Sequence, residues 1–277
     1  MKTWLITGCS SGFGRELAIS ALDHGDRVAV TARDPADVTG LVAAYGEAQA
    51  VAVALDVTDP KQVASAVAAA MGHFGAIDVL VNNAGISYFG GVEESDETAV
   101  RRLFEINFFG LMRMTNAVLP LMRAQRSGTI VNMASIAGLN GFPSVGYYCA
   151  SKFAVEGVSE ALAQEVAPFG IRMLLVEPSG FRTDWARSSA SAAHPIAAYD
   201  ETPLRAMVEG ARDTSAPQAG NPAKAAAAIY RAVTNGGTTL HLPLGAGSIA
   251  ATTAKLDALR AEYEALADLA RSVDDPS

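Results

Sequence analysis

Residues 7–14 read Thr7-Gly8-Cys9-Ser10-Ser11-Gly12-Phe13-Gly14 and close a short apolar run that begins at Trp4. Glycines at such a point let the chain turn tightly and approach a pyrophosphate. A helix starting directly after them offers free amides and the positive end of its dipole. Strand, Gly-rich turn and helix in that order are a far stronger signal of a dinucleotide site than a Gly pattern alone. Gly8, Gly12, Phe13 and Gly14 are therefore candidate cofactor contacts.

Outward from this turn, β-branched runs alternate with Ala-rich amphipathic stretches. Strands are expected at 4–7, 27–31, 50–56, 78–82, 128–133, 172–177 and 239–243, and helices at 14–24, 61–72, 97–122, 145–166 and 222–232. Most of the strands are continuous apolar runs, as required when helices cover both faces of a parallel sheet. The expected fold class is α/β, a Rossmann-type doubly wound parallel sheet of about seven strands. Residues 1–245 read as one dinucleotide-binding catalytic domain. Within it, 182–221 is rich in Ala, Ser, Pro and scattered charge, and reads as a substrate lid inserted over the sheet. Residues 246–277 form a C-terminal amphipathic helix and tail, whose Leu256, Leu259, Tyr263, Leu266 and Leu269 are expected to dock on this subunit or a neighbour.

Half of the 277 residues are apolar, ample for a large core, and the net charge is −8. An acidic surface disfavours nucleic-acid binding. Two cysteines, Cys9 and Cys149, are too few for a disulfide framework or a Cys-rich metal site, so no metal is expected. The N-terminal segment is wrong for a signal peptide, and no stretch approaches the roughly 20 apolar residues that span a bilayer. The expectation is a cytoplasmic protein with no membrane partner.

The second strand runs into Thr31-Ala32-Arg33-Asp34. An acid at its end would bond a ribose 2′-hydroxyl, whereas an arginine suits a 2′-phosphate. Ala32 stands where the acid belongs and Arg33 follows, with Ser10 and Ser11 as further hydroxyl donors, so NADP(H) is favoured. Asp34 keeps NAD(H) open. Further on, Tyr148 and Lys152 are spaced i, i+4 on one expected helix face, thirteen residues after Ser135. A phenol next to an ammonium loses its proton more readily than at its ordinary pKa of ~10, which makes it a usable general acid. Tyr147 has Ser151 at the same spacing, so Tyr148 is the reactive one.

The chain resembles the short-chain dehydrogenase/reductase family over about its first 245 residues, in the compact oxidoreductase form. The matching elements are Thr7-Gly8-x-x-x-Gly12-x-Gly14, Asp56-Val57, Asn82-Asn83-Ala84-Gly85, Asn107, Ser135, Tyr148 with Lys152, and Pro178 to Thr183. The resemblance implies that Asp56 and Val57 meet the adenine and that Asn83, Ala84 and Gly85 pack on its ribose. It implies a catalytic tetrad of Asn107, Ser135, Tyr148 and Lys152. Ser135 would hold the substrate oxygen, Tyr148 would exchange its proton, Lys152 would bind the nicotinamide ribose, and Asn107 would hold a water. Pro178, Ser179, Phe181 and Thr183 would line the nicotinamide. Ser179 replaces the family's usual glycine, where a side chain is expected to crowd the ring. The implied activity is NADP(H)-dependent reduction of a carbonyl or oxidation of a secondary alcohol.

Phe89, Leu139, Phe142, Trp185 and Tyr199 are candidate substrate walls, and their character favours a hydrophobic small molecule such as a steroid, retinoid, aryl ketone or terpenoid. An alternative is a 3-oxoacyl thioester reductase, with Arg101, Arg102, Arg123 and Arg126 as a scattered landing patch for an acidic carrier. A reading of another class is a catalytically inactive dinucleotide sensor, which would have no reason to keep all four tetrad residues. Family members commonly assemble as dimers or tetramers through the helices expected at 97–122 and 145–166, so a homodimer or homotetramer is expected.

Overall fold

The computed structural model describes residues 1–182, 190–191, 195–213, 218–237 and 239–275. Strand β1 (Thr3–Ile6) is buried along its whole length, and alternation along it feeds two separate cores. Trp4 and Ile6 face helices α1 (Gly12–Asp23) and α8 (Pro222–Thr234), where Leu17, Leu22, Ile229 and Val233 meet them. Leu5 faces the other way, toward Val63 and Val67 of α3 (Pro60–Phe74) and Met114 and Val118 of α5 (Leu111–Gln125). This double burial is why the strand reads as an unbroken apolar run.

The sheet contains, in chain order, β1, β2 (Arg27–Ala32), β3 (Ala50–Ala54), β4 (Val79–Asn82), β6 (Gly128–Met133), β7 (Ile171–Pro178) and β9 (His241–Leu244). All pairs are parallel in the spatial order β3-β2-β1-β4-β6-β7-β9, so the winding reverses between β1 and β4. Open α/β sheets bind ligands at that reversal, beyond the carboxyl ends of the strands. A short α2 (Thr39–Tyr45) precedes β3, and a two-stranded ribbon pairs β5 (Tyr88–Phe89) with β8 (Ala190–Ser191).

Helix starts follow local chemistry. Asp59 accepts from the Lys61 and Gln62 amides ahead of Pro60 in the first turn of α3, and Asn221 does the same for Lys224 ahead of Pro222 in α8. The single helix expected at 97–122 is instead α4 (Glu97–Phe104), a π-helical turn (Glu105–Gly110) and α5. One extra residue per turn re-aims the side chains there, and π turns of this kind often mark functional sites. Helix α6 (Gly146–Val166) is as expected. In the inserted segment lie a 3₁₀ turn (Ala197–Tyr199) and α7 (Pro203–Arg212).

The C-terminal segment is helical as expected, as α9 (Ala246–Ala265) and a short α10 (Ala267–Arg271). Only the start of α9 is anchored, through Ser248, whose hydroxyl donates to the Glu177 carbonyl at 2.7 Å. Leu256, Tyr263, Leu266 and Leu269 are exposed and Leu259 is half-buried, so within one chain four of the five apolar residues do not dock. Among the described residues no helix is long and apolar enough to cross a membrane.

Candidate active site

The Gly-rich turn is locked by residues from two strands. Gly8 and Gly12 adopt positive φ (72° and 59°), open to glycine at little steric cost. A Cβ on Gly14 would lie 2.3 Å from the Gly8 carbonyl oxygen and 2.4 Å from Asn83 Nδ2. Asn83 donates from that nitrogen to the carbonyls of Thr7 (2.8 Å) and Gly8 (2.9 Å), while Thr7 Oγ1 accepts from the amides of Asn83 and Ala84. The β4 end thereby splints the β1 turn. Ser10 and Ser11 are exposed at the mouth of α1, and Ser11 caps the helix by position without using its hydroxyl.

Strand β2 ends at Ala32, leaving Arg33 exposed just beyond it. Asp34 spends a carboxylate oxygen on the Ala36 amide, at 2.9 Å, to cap the next turn. Across the groove Asp56 accepts from the Thr58 amide (2.9 Å) and hydroxyl (2.7 Å). Burial would raise its carboxyl, but those two bonds and the charges of Arg33 and Arg102 outweigh it and hold the pKa below the ordinary value. Arg102, which the sequence suggested only as part of a carrier patch, thus shares a field with Arg33. The rest of that patch is dispersed: Arg101 pairs with Glu97 and Arg126 donates to the Pro168 carbonyl.

Ser135 at the carboxyl end of β6 and Tyr148 and Lys152 in the first two turns of α6 come together, with Asn107 in the π turn before α5, and all four are buried. Tyr148 is hydrogen-bonded with Ser135, and the Ser135 hydroxyl also accepts from the Ala137 amide at 3.1 Å. Lys152 Nζ lies 5.8 Å from the Tyr148 ring centroid and donates to the Met133 carbonyl at 2.5 Å. Asn107, in the π turn, exchanges bonds with the backbone of Ile86 (2.9 Å each way) and donates to Ser151 Oγ at 3.2 Å. Ser151 in turn donates to the Tyr148 carbonyl, linking the π turn to the helix that carries the phenol. Sequence spacing had assigned Ser151 no such part.

The expected fall in the phenol's pKa is not found. Burial pushes Tyr148 up to about 12, only partly offset by its bond with Ser135. Lys152 comes down to about 8 because burial penalises its ammonium, with the charge of Glu156 working against the fall. The lysine sits over the ring and is hydrogen-bonded to a backbone carbonyl, so desolvation governs both groups.

At the nicotinamide end, Phe181 packs on Phe13 with ring centroids 5.0 Å apart, joining the β7 loop to the Gly-rich turn. Pro178 closes β7 against Leu244. The Ser179 hydroxyl is turned onto the Leu244 carbonyl at 3.3 Å, in space that a side chain on Gly245 would need. Thr183 and Trp185 lie outside the described residues. The remaining cofactor candidates, Val57 and Gly85, sit beside the π turn: a Cβ on Gly110 would lie 2.6 Å from Val57 Cγ2, and one on Gly85 3.2 Å from Asn107 Oδ1.

A cavity of about 310 Å³ borders the first turn of α6, lined by Val92, Phe142, Pro143, Ser144, Tyr199 and Leu204 among others. Two of the expected walls, Phe142 and Tyr199, line it. Phe89 does not: it is fully buried in β5 as a core residue, and Leu139 also lies outside the lining. One side of the cavity is held by Glu94, completely buried, which accepts from Arg205 Nη2 at 2.5 Å and the Ile196 amide at 2.8 Å. Tyr199 donates to Glu93 at 2.7 Å. This clamp between the β5 loop and α7 had no signal in the sequence, because it joins residues more than a hundred positions apart.

The donor set fits a nicotinamide dinucleotide: a Gly turn with no room for a Cβ, free hydroxyls and amides at a helix mouth, an ionised Asp56 beyond β3, and a buried Tyr and Lys beyond β6. Comparison with known proteins agrees. The short chain dehydrogenase family profile matches residues 2–194. Oxidoreductase BOA17 of Botryotinia fuckeliana is 40% identical over 248 residues, 90% of each chain. Bovine retinol dehydrogenase 8 is 43% identical over 191 residues, 66% of this chain and 60% of that one. A short-chain dehydrogenase from Streptomyces avermitilis superposes with a TM-score of 0.91 at 42% identity, covering 99% of both chains. More distant structures at 28% identity hold NAD, in a Burkholderia phymatum enzyme (TM-score 0.77), or NADP, in ElxO (TM-score 0.73). By fold, motif order and relatives alike, this chain is an oxidoreductase belonging to the short-chain dehydrogenase/reductase family.

Proposed function

We propose that the protein reduces a ketone, or oxidises the matching secondary alcohol, of a hydrophobic small molecule with NADP(H). The observation that carries this reading is the convergence of a buried Ser135–Tyr148 hydrogen bond and the Lys152 ammonium at the carboxyl end of the sheet, on the helix whose first residue, Gly146, lines a largely apolar cavity. The dinucleotide, when bound, supplies or takes up a hydride. Gly8, Ser10 to Gly14, Arg33, Asp56, Val57, Asn83 to Gly85, Lys152 and the Pro178 to Phe181 loop are the residues that would hold it.

Tyr148 gives its proton to the oxygen of the carbonyl as that oxygen gains negative charge, and takes it back in the reverse direction. Ser135 donates a second hydrogen bond to the same oxygen, steadying the charge that develops in the transition state. A phenol at about 12 is a weak acid, so Lys152 must favour the phenolate as the proton leaves. The ammonium over the ring is placed to do so. Asn107 and Ser151 keep the π turn and α6 in register, which fixes the Tyr148 backbone.

Preference for NADP(H) rests on Arg33 following the last residue of β2, on the supporting charge of Arg102, and on the commitment of Asp34 to a cap. The hydrophobic substrate class rests on Val92, Phe142, Pro143 and Leu204 in the cavity, and is consistent with the apolar alcohol named for retinol dehydrogenase 8. A panel of apolar ketones and alcohols run with NADPH and NADH side by side tests the reading. Tyr148→Phe should lose at least 99% of turnover, and Arg33→Ala should raise KM for NADPH tenfold or more while leaving NADH nearly unchanged. A Tyr148→Phe enzyme with more than a few per cent of wild-type turnover removes the tyrosine from the mechanism.

A further inference from the structure

Four residues beyond Lys152, the same face of α6 carries Glu156, which is 3% exposed and has no hydrogen-bond partner on either carboxylate oxygen. Facing it are two residues from neighbouring strands. Glu177 of β7, also 3% exposed, points to the side of the sheet that α6 covers, as does Leu175 two residues earlier. His241 of β9 is the register partner of Leu175 and so joins them on that side. His241 Nδ1 is 2.6 Å from Glu177 Oε1 and 3.9 Å from Glu156 Oε2, and one atom from each of the three side chains lies within 4.8 Å of the others. Gly138, in the turn after Ser135, leaves the room: a Cβ there would lie 2.8 Å from Glu156 Cγ and 3.0 Å from its Oε1.

Glu177 has a partner in His241, but the Glu156 carboxyl has none on either oxygen. A buried polar group left without a hydrogen bond is costly, and a cation held between the two carboxyls would satisfy it. The donor set, one nitrogen and two carboxylate oxygens, suits a borderline divalent ion rather than Mg²⁺ or Ca²⁺, which want more oxygens. Zinc takes such ligands at about 2.0–2.2 Å in a tetrahedron, which puts ligand atoms about 3.4 Å apart. The two His241–carboxylate separations of 2.6 and 3.9 Å bracket that value, so side-chain shifts of less than an ångström in opposite directions bring both to it. His241 is 42% exposed at its side chain, which opens the fourth position to water and gives the ion an entry path.

We propose that Glu156, Glu177 and His241 form a binding site for one Zn²⁺-like ion that pins the edge strand β9 to the helix carrying Tyr148 and Lys152. The ion is bound by carboxylates and a neutral imidazole, so affinity rises with pH. The site is separate from the dinucleotide groove and does not depend on the reaction proposed above.

The test is a Zn²⁺ titration of the EDTA-treated full chain against a competing chromophoric chelator, with thermal unfolding alongside. Wild type should bind one equivalent, and its Tm should rise by about 5 °C at a hundredfold excess of free Zn²⁺ over Kd. His241→Gln alters a part-exposed side chain and should fold normally. It should weaken binding by about a hundredfold and abolish the Tm rise, and Glu156→Gln should do likewise. His73→Gln, at a histidine outside the cluster, should bind as wild type does. Absence of saturable binding in the wild type, undiminished binding in His241→Gln, or Mg²⁺ binding as tightly as Zn²⁺ would each overturn the site.

Discussion

Replacing Gly14 with alanine tests how the dinucleotide turn is held. The added Cβ would stand 2.3 Å from the Gly8 carbonyl oxygen and 2.4 Å from Asn83 Nδ2, both well inside contact distance. Asn83 would have to withdraw, giving up its bonds to the Thr7 and Gly8 carbonyls, each worth about 1 kcal/mol net. The Gly8 carbonyl is backbone, so the turn itself must also move, an overpacking cost of about 1–3 kcal/mol. Alanine's better helix propensity returns about 1 kcal/mol. The net loss is about 2–4 kcal/mol, a large part of a typical stability of 5–15 kcal/mol. Urea denaturation should show it as a lower midpoint at unchanged slope, and fluorescence titration with NADPH should show binding weakened at least tenfold. Gly72→Ala in α3 is the control: nothing lies within 4 Å of its Cβ, and it should stabilise by about 0.5–1 kcal/mol. An unshifted midpoint and unchanged NADPH affinity in Gly14→Ala would refute the interlock between β1 and β4.

Further outcomes follow from the buried charges. Glu156 has its pKa raised by burial, and by the charges of Glu177 and Glu160, to about 8 from an ordinary 4.5. The folded state therefore holds that proton more tightly than the unfolded state. The stability it confers is whole below 4.5 and is lost as pH rises through 8, at up to about 1.4 kcal/mol per pH unit. Glu156→Gln should flatten this slope in urea midpoints measured from pH 5 to 8 in EDTA, and an unaltered slope would assign it to other groups. Lys152, at about 8 against an ordinary 10.5, has the opposite sign: its cost is full below 8 and is relieved between 8 and 10.5, so Lys152→Met should abolish any gain in stability over that window. Glu94→Gln keeps the shape but removes the charge that Arg205 and the Ile196 amide bond, and should cost about 2 kcal/mol. Native-state proteolysis within 195–213 should speed up correspondingly, and an unchanged cleavage rate would refute the clamp.

The parts of this molecule that were legible in the sequence are those whose cause is local. Most of the seven sheet strands were visible because burial on both faces makes them apolar runs. The turn at 7–14 was visible because a tight backbone approach needs glycine, and Tyr148 with Lys152 because a helix imposes its own spacing. What stayed hidden depends on partners remote in sequence. The helix expected at 97–122 conceals a π turn, set by Asn107 bonding to Ile86 and Ser151 rather than by any propensity of residues 105–110. Phe89 looked like a wall because it is aromatic, but it is fully buried in β5 and belongs to the core. The sign of the Tyr148 shift was missed because spacing gives proximity to Lys152 and says nothing of desolvation. Leu256, Leu259, Tyr263, Leu266 and Leu269 recur at helical spacing, yet periodicity cannot say whether a surface exists to receive them.

Tyr148, Lys152 and Glu156 form one stripe at i, i+4 and i+8 on the buried face of α6, and their shifts belong together. Burial moves each group toward its neutral form, raising Tyr148 and Glu156 and lowering Lys152. At neutral pH this leaves one charge in the stripe, the Lys152 ammonium, with Glu156 protonated behind it. Ionising Glu156 would place a carboxylate one helical turn from the ammonium and favour it further, whereas a cation at Glu156 would take the place of the proton and leave Lys152 without that support. Proton and metal are thus alternatives at one end of the stripe, and the choice between them is felt at the other. The same helix that positions the phenol couples it electrostatically to the edge of the sheet, through groups the reaction itself does not touch.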